Sequence, residues 1–185
     1  MMILFFVYVG VETGFGGWIF TYAVEEQIAT ESAAAYMNSL FWGTLTLGRL
    51  VSILLARKLQ PSKILIGNFS LAILFLGLIL VWPKNSVMIW AGSAGLGLAL
   101  SSVFPTLLAL GESRMKITGG VTGLFFFGSS LGGTVLPMVL GQIFEYIGSY
   151  QIMITLFGFT VLGMAVLLAV IFASNRVGEK VRVRS

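Results

Sequence analysis

Six stretches of predominantly apolar residues, at 2–24, 34–56, 64–82, 87–110, 121–144 and 152–174, constrain this chain more than any motif in it. At about 1.5 Å rise per residue, a helix needs roughly 20 such residues to cross the ~30 Å hydrocarbon core of a bilayer. The breaks between them are EEQIATES at 25–32, RKLQPSK at 57–63, WPKNS at 82–86, GESRMKITGG at 111–120 and EYIGSYQ at 145–151. They are polar, carry turn formers and are too short for a second domain. Only 10% of residues are charged and 57% are hydrophobic, with mean hydropathy +0.99. A soluble domain is about a quarter charged, so this surface must face something other than water. The expected fold is an all-α membrane protein: one six-helix transmembrane bundle over 1–175 and a basic tail at 176–185. The first stretch is too long for a signal-peptide core and lacks a basic leader and an A-x-A site, so it is read as a span.

Lys and Arg near helix ends are retained on the cytoplasmic side. With the N-terminus inside, the cytoplasmic stretches hold Arg57, Lys58, Lys63, Arg114, Lys116, Arg176, Lys180, Arg182 and Arg184, and the opposite side holds only Lys84. Both termini are therefore expected in the cytoplasm, and the net charge of +4 is mostly topology. Nucleic-acid binding is excluded for want of a groove-sized soluble surface. The tail KVRVR is read as a topological stop signal, with contact to anionic head groups as the alternative. The sequence has no Cys and no His, which removes disulfides, thiol or imidazole catalysis and the usual N/S zinc site. No metal, no cofactor and no enzymatic reaction are expected. The run GSAGLGLAL at 92–100 lacks the spacing and preceding strand of a dinucleotide loop and is read as helix packing. The glycosylation sequon at Asn68 lies inside a span, out of reach of the modifying enzyme.

Polar residues inside spans carry the functional expectation, because a charge there is expensive. On the first helix Tyr8, Glu12, Phe15, Ile19 and Tyr22 share one face, while Trp18 points well away from Glu12. On the second, Asn38, Trp42, Leu45 and Arg49 form another stripe. Ser101, Ser102, Thr106, Ser129, Ser130 and Thr134 follow on the fourth and fifth spans, with Pro105 and Pro137 interrupting the helical ladder. Small residues four apart, Gly10 and Gly14, Gly119 and Gly123, Gly128 and Gly132, suit close helix approach. At Gly14, Gly16 and Gly17 the first helix is also easy to unwind, and broken helices at bilayer depth are where secondary transporters place their sites.

Four segments, YVGVETGFGGWIFTYAVEE at 8–26, GRLVSILLARKLQPSKIL at 48–65, SSVFPTLLALG at 101–111 and GSSLGGTVLPMVLGQIFEYIG at 128–148, resemble the C-terminal half of the fucose permease branch of the major facilitator superfamily. That branch includes the eukaryotic sodium-dependent glucose transporter relatives. The segments cover four of the six spans in order, and the one at 48–65 resembles a degenerate form of the loop motif of the superfamily. The resemblance implies a twelve-helix protein of two six-helix bundles, with a sugar site between them and alternating access by rocking of the halves. This chain corresponds to one half, so its partner is a missing N-terminal six-helix half or a second copy. The acidic residues that couple protons in the family lie in the other half. Bacterial members tend to have an amide where Glu12 stands, which supports a polar, substrate-facing role there and not a proton-carrying one.

Each residue has a functional and a plainer reading. Glu12 is a hydrogen-bond acceptor for a sugar hydroxyl or an ion ligand, or else a structural partner of Arg49, which helix counting puts within about 5 Å of it in depth. Arg49 is read as structural, pinning the cytoplasmic gate. Asn38 and Trp42 line the sugar pathway, or Trp42 is an interfacial anchor. Tyr8 and Tyr22 join the substrate face. Phe104, Pro105 and Thr106 mark a helix distortion that bears on gating more than on sugar contact. Gln142 and Glu145 belong to the pathway or rim, and Glu25, Glu26 and Glu31 to a solvated outer loop. Two functions follow: a secondary transporter of a monosaccharide-like solute, proton- or sodium-coupled, or a non-transporting membrane protein that assembles with a partner bundle. The plasma membrane is the location the resemblance implies.

Overall fold

A computed structural model describes the backbone of residues 1–56 and 58–184 and the side chains of 1–53 and 58–173. Seven helices follow one another: α1 (Met2–Glu25), α2 (Glu31–Ala56), α3 (Pro61–Val81), α4 (Ser86–Leu100), α5 (Val103–Arg114), α6 (Gly119–Tyr146) and α7 (Tyr150–Arg184). Five passages are long and apolar enough to cross a membrane: α1, α3, α4 and α5 taken together, α6, and α7 to Ala173. The 26 residues of α2 span about 39 Å at the helical rise, but Asn38, Thr44, Thr46, Arg49 and Ser52 lower its apolar character. Arg57 lies outside the described residues, as do the side chains of Arg176, Lys180, Arg182 and Arg184, so their expected cytoplasmic cluster is without a structural account.

The helix ends sit where local chemistry puts them. Asn85 caps α4 by accepting from the amides of Val87 and Met88, and Thr118 caps α6 by accepting from Val121, each relieving amides that have no partner within the helix. At the other end of α6, Gly148 takes φ +121° and its amide bonds the Ile143 carbonyl at 3.1 Å. A left-handed glycine just past the last turn is the usual way to stop a helix and send the chain back.

The fourth expected span is not one helix. It breaks at Ser101–Ser102, giving α4 and α5. Pro105 explains the position: it offers no N–H to the Ser101 carbonyl and its ring crowds it. Ser102 then reorganises the start of α5, its carbonyl accepting from the Thr106 amide at 3.1 Å and the Thr106 hydroxyl at 2.6 Å. From α3, Asn68 Nδ2 donates to Ser102 Oγ at 2.7 Å. The expected distortion at Phe104 to Thr106 is thus present, and Asn68, given no structural role in the sequence, ties it down.

Glycines do the packing, but not all of those expected to. α1 lies against α6 so closely that a Cβ built at Gly132 would fall on the Phe6 carbonyl, 2.7 Å from its carbon and 2.9 Å from Phe6 Cα. Gly10, Gly14 and Gly128 sit in the same tight bundle contacts, whereas Gly119 and Gly123 face open space. The glycines at 92–100 are helix packing as read: Gly92 meets Ile79, Gly95 meets Phe75, and Gly97 meets the backbone of Phe41 and Leu45 on α2. Conversely, α1 runs unbroken through Gly14, Gly16 and Gly17, so the expected unwinding there is absent. Gly16 is small because the Trp42 ring occupies that space, with Cε2 2.8 Å from where a Cβ would be.

Candidate functional site

An open cleft of about 460 Å³ lies where α1, α2, α5 and α6 converge. Tyr8, Val9 and Glu12 form one wall, and Ser129, Ser130, Gly133 and Thr134 form the other. Arg49 and Phe104 complete it. The two walls are held at fixed spacing by the glycine contact between α1 and α6 just described. Pro137, one turn along α6, has no N–H to give the Gly133 carbonyl, so the wall carries a main-chain acceptor without its usual helical partner. From outside the cleft, Trp18 donates Nε1–H to the Pro137 carbonyl at 3.3 Å.

Glu12 and Arg49 meet here. Arg49 Nη2 donates to Glu12 Oε1 at 3.3 Å, with side-chain exposures of 51% and 11%. A nearly buried carboxylate needs such a counter-charge, which is the structural reading of the pair. The same carboxylate also lines the cleft, so the two readings of Glu12 describe one arrangement. Tyr8 stands one turn before Glu12. Its buried hydroxyl interacts with the Glu12 carboxylate and the Arg49 guanidinium, though at neither with standard hydrogen-bond geometry.

The other expected residues go elsewhere. Tyr22 shares the helical face of Glu12, but lies fully buried near the opposite end of α1, its hydroxyl 3.5 Å from the Pro83 carbonyl. Phe15 and Ile19 between them are also fully buried, so the stripe is cleft at one end and core at the other. Trp42 packs on Gly16 and Phe41, and Asn38 is half-buried with Oδ1 unpartnered; neither lines the cleft. The aromatic face at the cleft is Phe104, packed edge-on against Phe5 with ring centres 5.3 Å apart. The sequence assigns Phe104 to gating, because helix counting does not reveal that it stands opposite α1 and α6 at the cleft. Pro105 and Thr106 line a second cleft that also reaches Arg49. Glu26 is not simply solvated, since Ser149 Oγ donates to its Oε1 and ties the first loop to the last turn. Gln142 and Glu145 are exposed.

Among the described residues no cluster of three or more Asp and Glu could hold a metal ion. What the cleft offers is hydrogen bonding: three hydroxyl-bearing side chains on α6, of which Ser129 commits its proton to the Phe125 carbonyl, with a phenol, a carboxylate, a guanidinium and one aromatic face. Such a set suits a small polar solute with several hydroxyls.

Together, the bundle and its five apolar helical passages define a multi-pass helical membrane protein. The chain belongs to the major facilitator superfamily. It is 34% identical over 146 residues to the human major facilitator superfamily domain-containing protein 4A, covering 78% of this chain and 28% of that protein. The protein of that name from Xenopus tropicalis is 34% identical over 177 residues, 92% of this chain and 35% of its own length. Sodium-dependent glucose transporter 1 of Danio rerio is 32% identical over 149 residues, 80% of this chain and 25% of its own length. The chain thus spans between a quarter and about a third of these curated relatives. No family model matches it.

Proposed function

We propose that this chain forms part of a secondary transporter and that the cleft between α1 and α6 binds a monosaccharide-like solute. The observation that carries the reading is the pairing, in one open cleft, of the Glu12–Arg49 ion pair with the Tyr8 phenol and the hydroxyls of Ser129, Ser130 and Thr134. A sugar presents donors and acceptors around its ring and apolar C–H faces above and below. Glu12 accepts from a hydroxyl, Arg49 donates to one, and Phe104 takes the apolar face. Asn38, Trp42 and Tyr22 lie outside the cleft and are left out of this set. A relative named as a sodium-dependent glucose transporter supports both the solute class and sodium coupling. In this reading Arg49 and the Pro105 break are gating elements.

Because the cleft is open on one side, its opposing wall comes from a second bundle, either the other half of a longer transporter or a second copy. Alternating access is then rocking of one bundle against the other. The Lys and Arg distribution supports both termini in the cytoplasm, and the plasma membrane is the location proposed from the family. The test is uptake of radiolabelled glucose and fucose into proteoliposomes, with and without an inward sodium gradient, for the wild type and Glu12→Gln. Saturable uptake lost in Glu12→Gln supports the site, and uptake that Glu12→Gln leaves unchanged in affinity and coupling refutes it. If well-inserted protein takes up nothing until a second bundle is co-reconstituted, the second bundle supplies the missing wall.

A further inference from the structure

The second cleft has a different chemistry from the first. It encloses about 480 Å³ between α2, the start of α3 and α5. Its surface is largely apolar, with Ile53, Leu59, Ile64, Pro105 and Ala109 on the walls. Of its polar members, Ser52 and Thr106 have committed their hydroxyl protons to their own helices, to the Arg49 carbonyl at 2.7 Å and the Ser102 carbonyl at 2.6 Å. Among the described residues the remaining polar member is Arg49, which also lines the first cleft. Its guanidinium carries five donors in a planar fork, is half exposed, and among the described residues hydrogen-bonds Glu12 through Nη2. Exposed Lys58 and Lys63 adjoin lining residues in sequence and add positive potential at this end of the bundle.

An apolar slot ending in an under-committed guanidinium does not suit a polyol, whose hydroxyls would find few partners there. It suits an acceptor-only head on an apolar body. We propose that this cleft binds a single-chain amphipathic carboxylate, with its head group on Arg49 and its chain along Ile53, Leu59, Ile64 and Ala109. A carboxylate takes the guanidinium fork through two parallel bonds. It therefore competes with Glu12 for the same cation, and occupancy of the second cleft loosens the ion pair that lines the first. The two sites are coupled through one side chain.

The test uses the chain in phosphatidylcholine nanodiscs with dodecanoate carrying a photoreactive diazirine near its methyl end, followed by proteolysis and mass spectrometry. Labelling is expected in peptides carrying Ile53 to Ile64 and Pro105 to Ala109, and dodecanol needs about ten times the concentration of dodecanoate to suppress it, the ratio a lost charge-assisted bond produces. Ala109→Leu, which fills the slot and leaves Arg49 in place, abolishes it, as does Arg49→Gln where that variant folds. Equal competition by dodecanol, persistence of labelling in Ala109→Leu, or displacement by phosphatidylglycerol as effective as by dodecanoate overturns the proposal. Labelling reports occupancy without transport, so its failure leaves the solute cleft standing.

Discussion

Gly132→Ala gives the sharpest test of the packing that sets the cleft. The new methyl would meet the Phe6 carbonyl carbon at 2.7 Å and Phe6 Cα at 2.9 Å, where ordinary contact begins at 3.4 Å. These are main-chain atoms of α1, so no rotamer change relieves the clash. The helices must part by at least 0.7 Å, the difference between 3.4 Å and 2.7 Å, along the most extensive interface of the bundle. Overpacking of this kind costs about 3 kcal/mol, at the upper end of its usual range. Gly123→Ala is the matched control: nothing lies within 4 Å of its added methyl, and replacing a mid-helix glycine gains roughly 0.5–1 kcal/mol. The two substitutions are chemically identical and should move stability in opposite directions. Thermal unfolding in detergent, followed by the fluorescence of the four tryptophans, reads both. A Gly132→Ala protein as stable as wild type would refute the close approach of α1 and α6.

The ion pair should be asymmetric: Arg49→Gln strands a nearly buried carboxylate and costs roughly 3 kcal/mol, whereas Glu12→Gln leaves a half-exposed guanidinium and costs about 1 kcal/mol. Equal losses in the same unfolding assay would contradict the exposures of the two side chains. Asn68→Ala should cost about 1 kcal/mol, and Asn68→Ala combined with Ser102→Ala should cost little more than either alone, since the pair shares one bond; strict additivity would sink that assignment. Trp18→Phe keeps the ring contact with Phe144 but removes the donor to the Pro137 carbonyl, so about 1 kcal/mol is lost and hydrogen exchange around Pro137 quickens.

Helix positions were legible because apolarity and turn formers are local properties. The stretches at 2–24 and 121–144 match α1 and α6 to within two residues at each end. The partnership of Glu12 and Arg49 was legible from depth counting on consecutive helices. Which residues share a cleft was less so, because a helical stripe says what faces one way and not what stands opposite: Tyr22 shares a face with Glu12 yet meets the Pro83 carbonyl. The break at Ser101–Ser102 was signalled by Pro105, but its effect on Phe104 depends on how α5 reorients. Asn68 carried a usable signal, an amide within an otherwise apolar span, whose partner Ser102 lies 34 residues away. The three glycines at 14, 16 and 17 suggested unwinding because glycine weakens a helix; at Gly14 and Gly16, tertiary contact with the leucines of α6 and α7 and with Trp42 opposes that weakness, while Gly17 faces open space.

The contact of α1 with α6 is made main chain to main chain at Gly132, without an intervening layer of side chains. The separation between the wall bearing Tyr8 and Glu12 and the wall bearing Ser129, Ser130 and Thr134 is therefore independent of what those five positions carry. Ligand preference can be rewritten at them, by nature or by an engineer, one residue at a time and without resizing the frame.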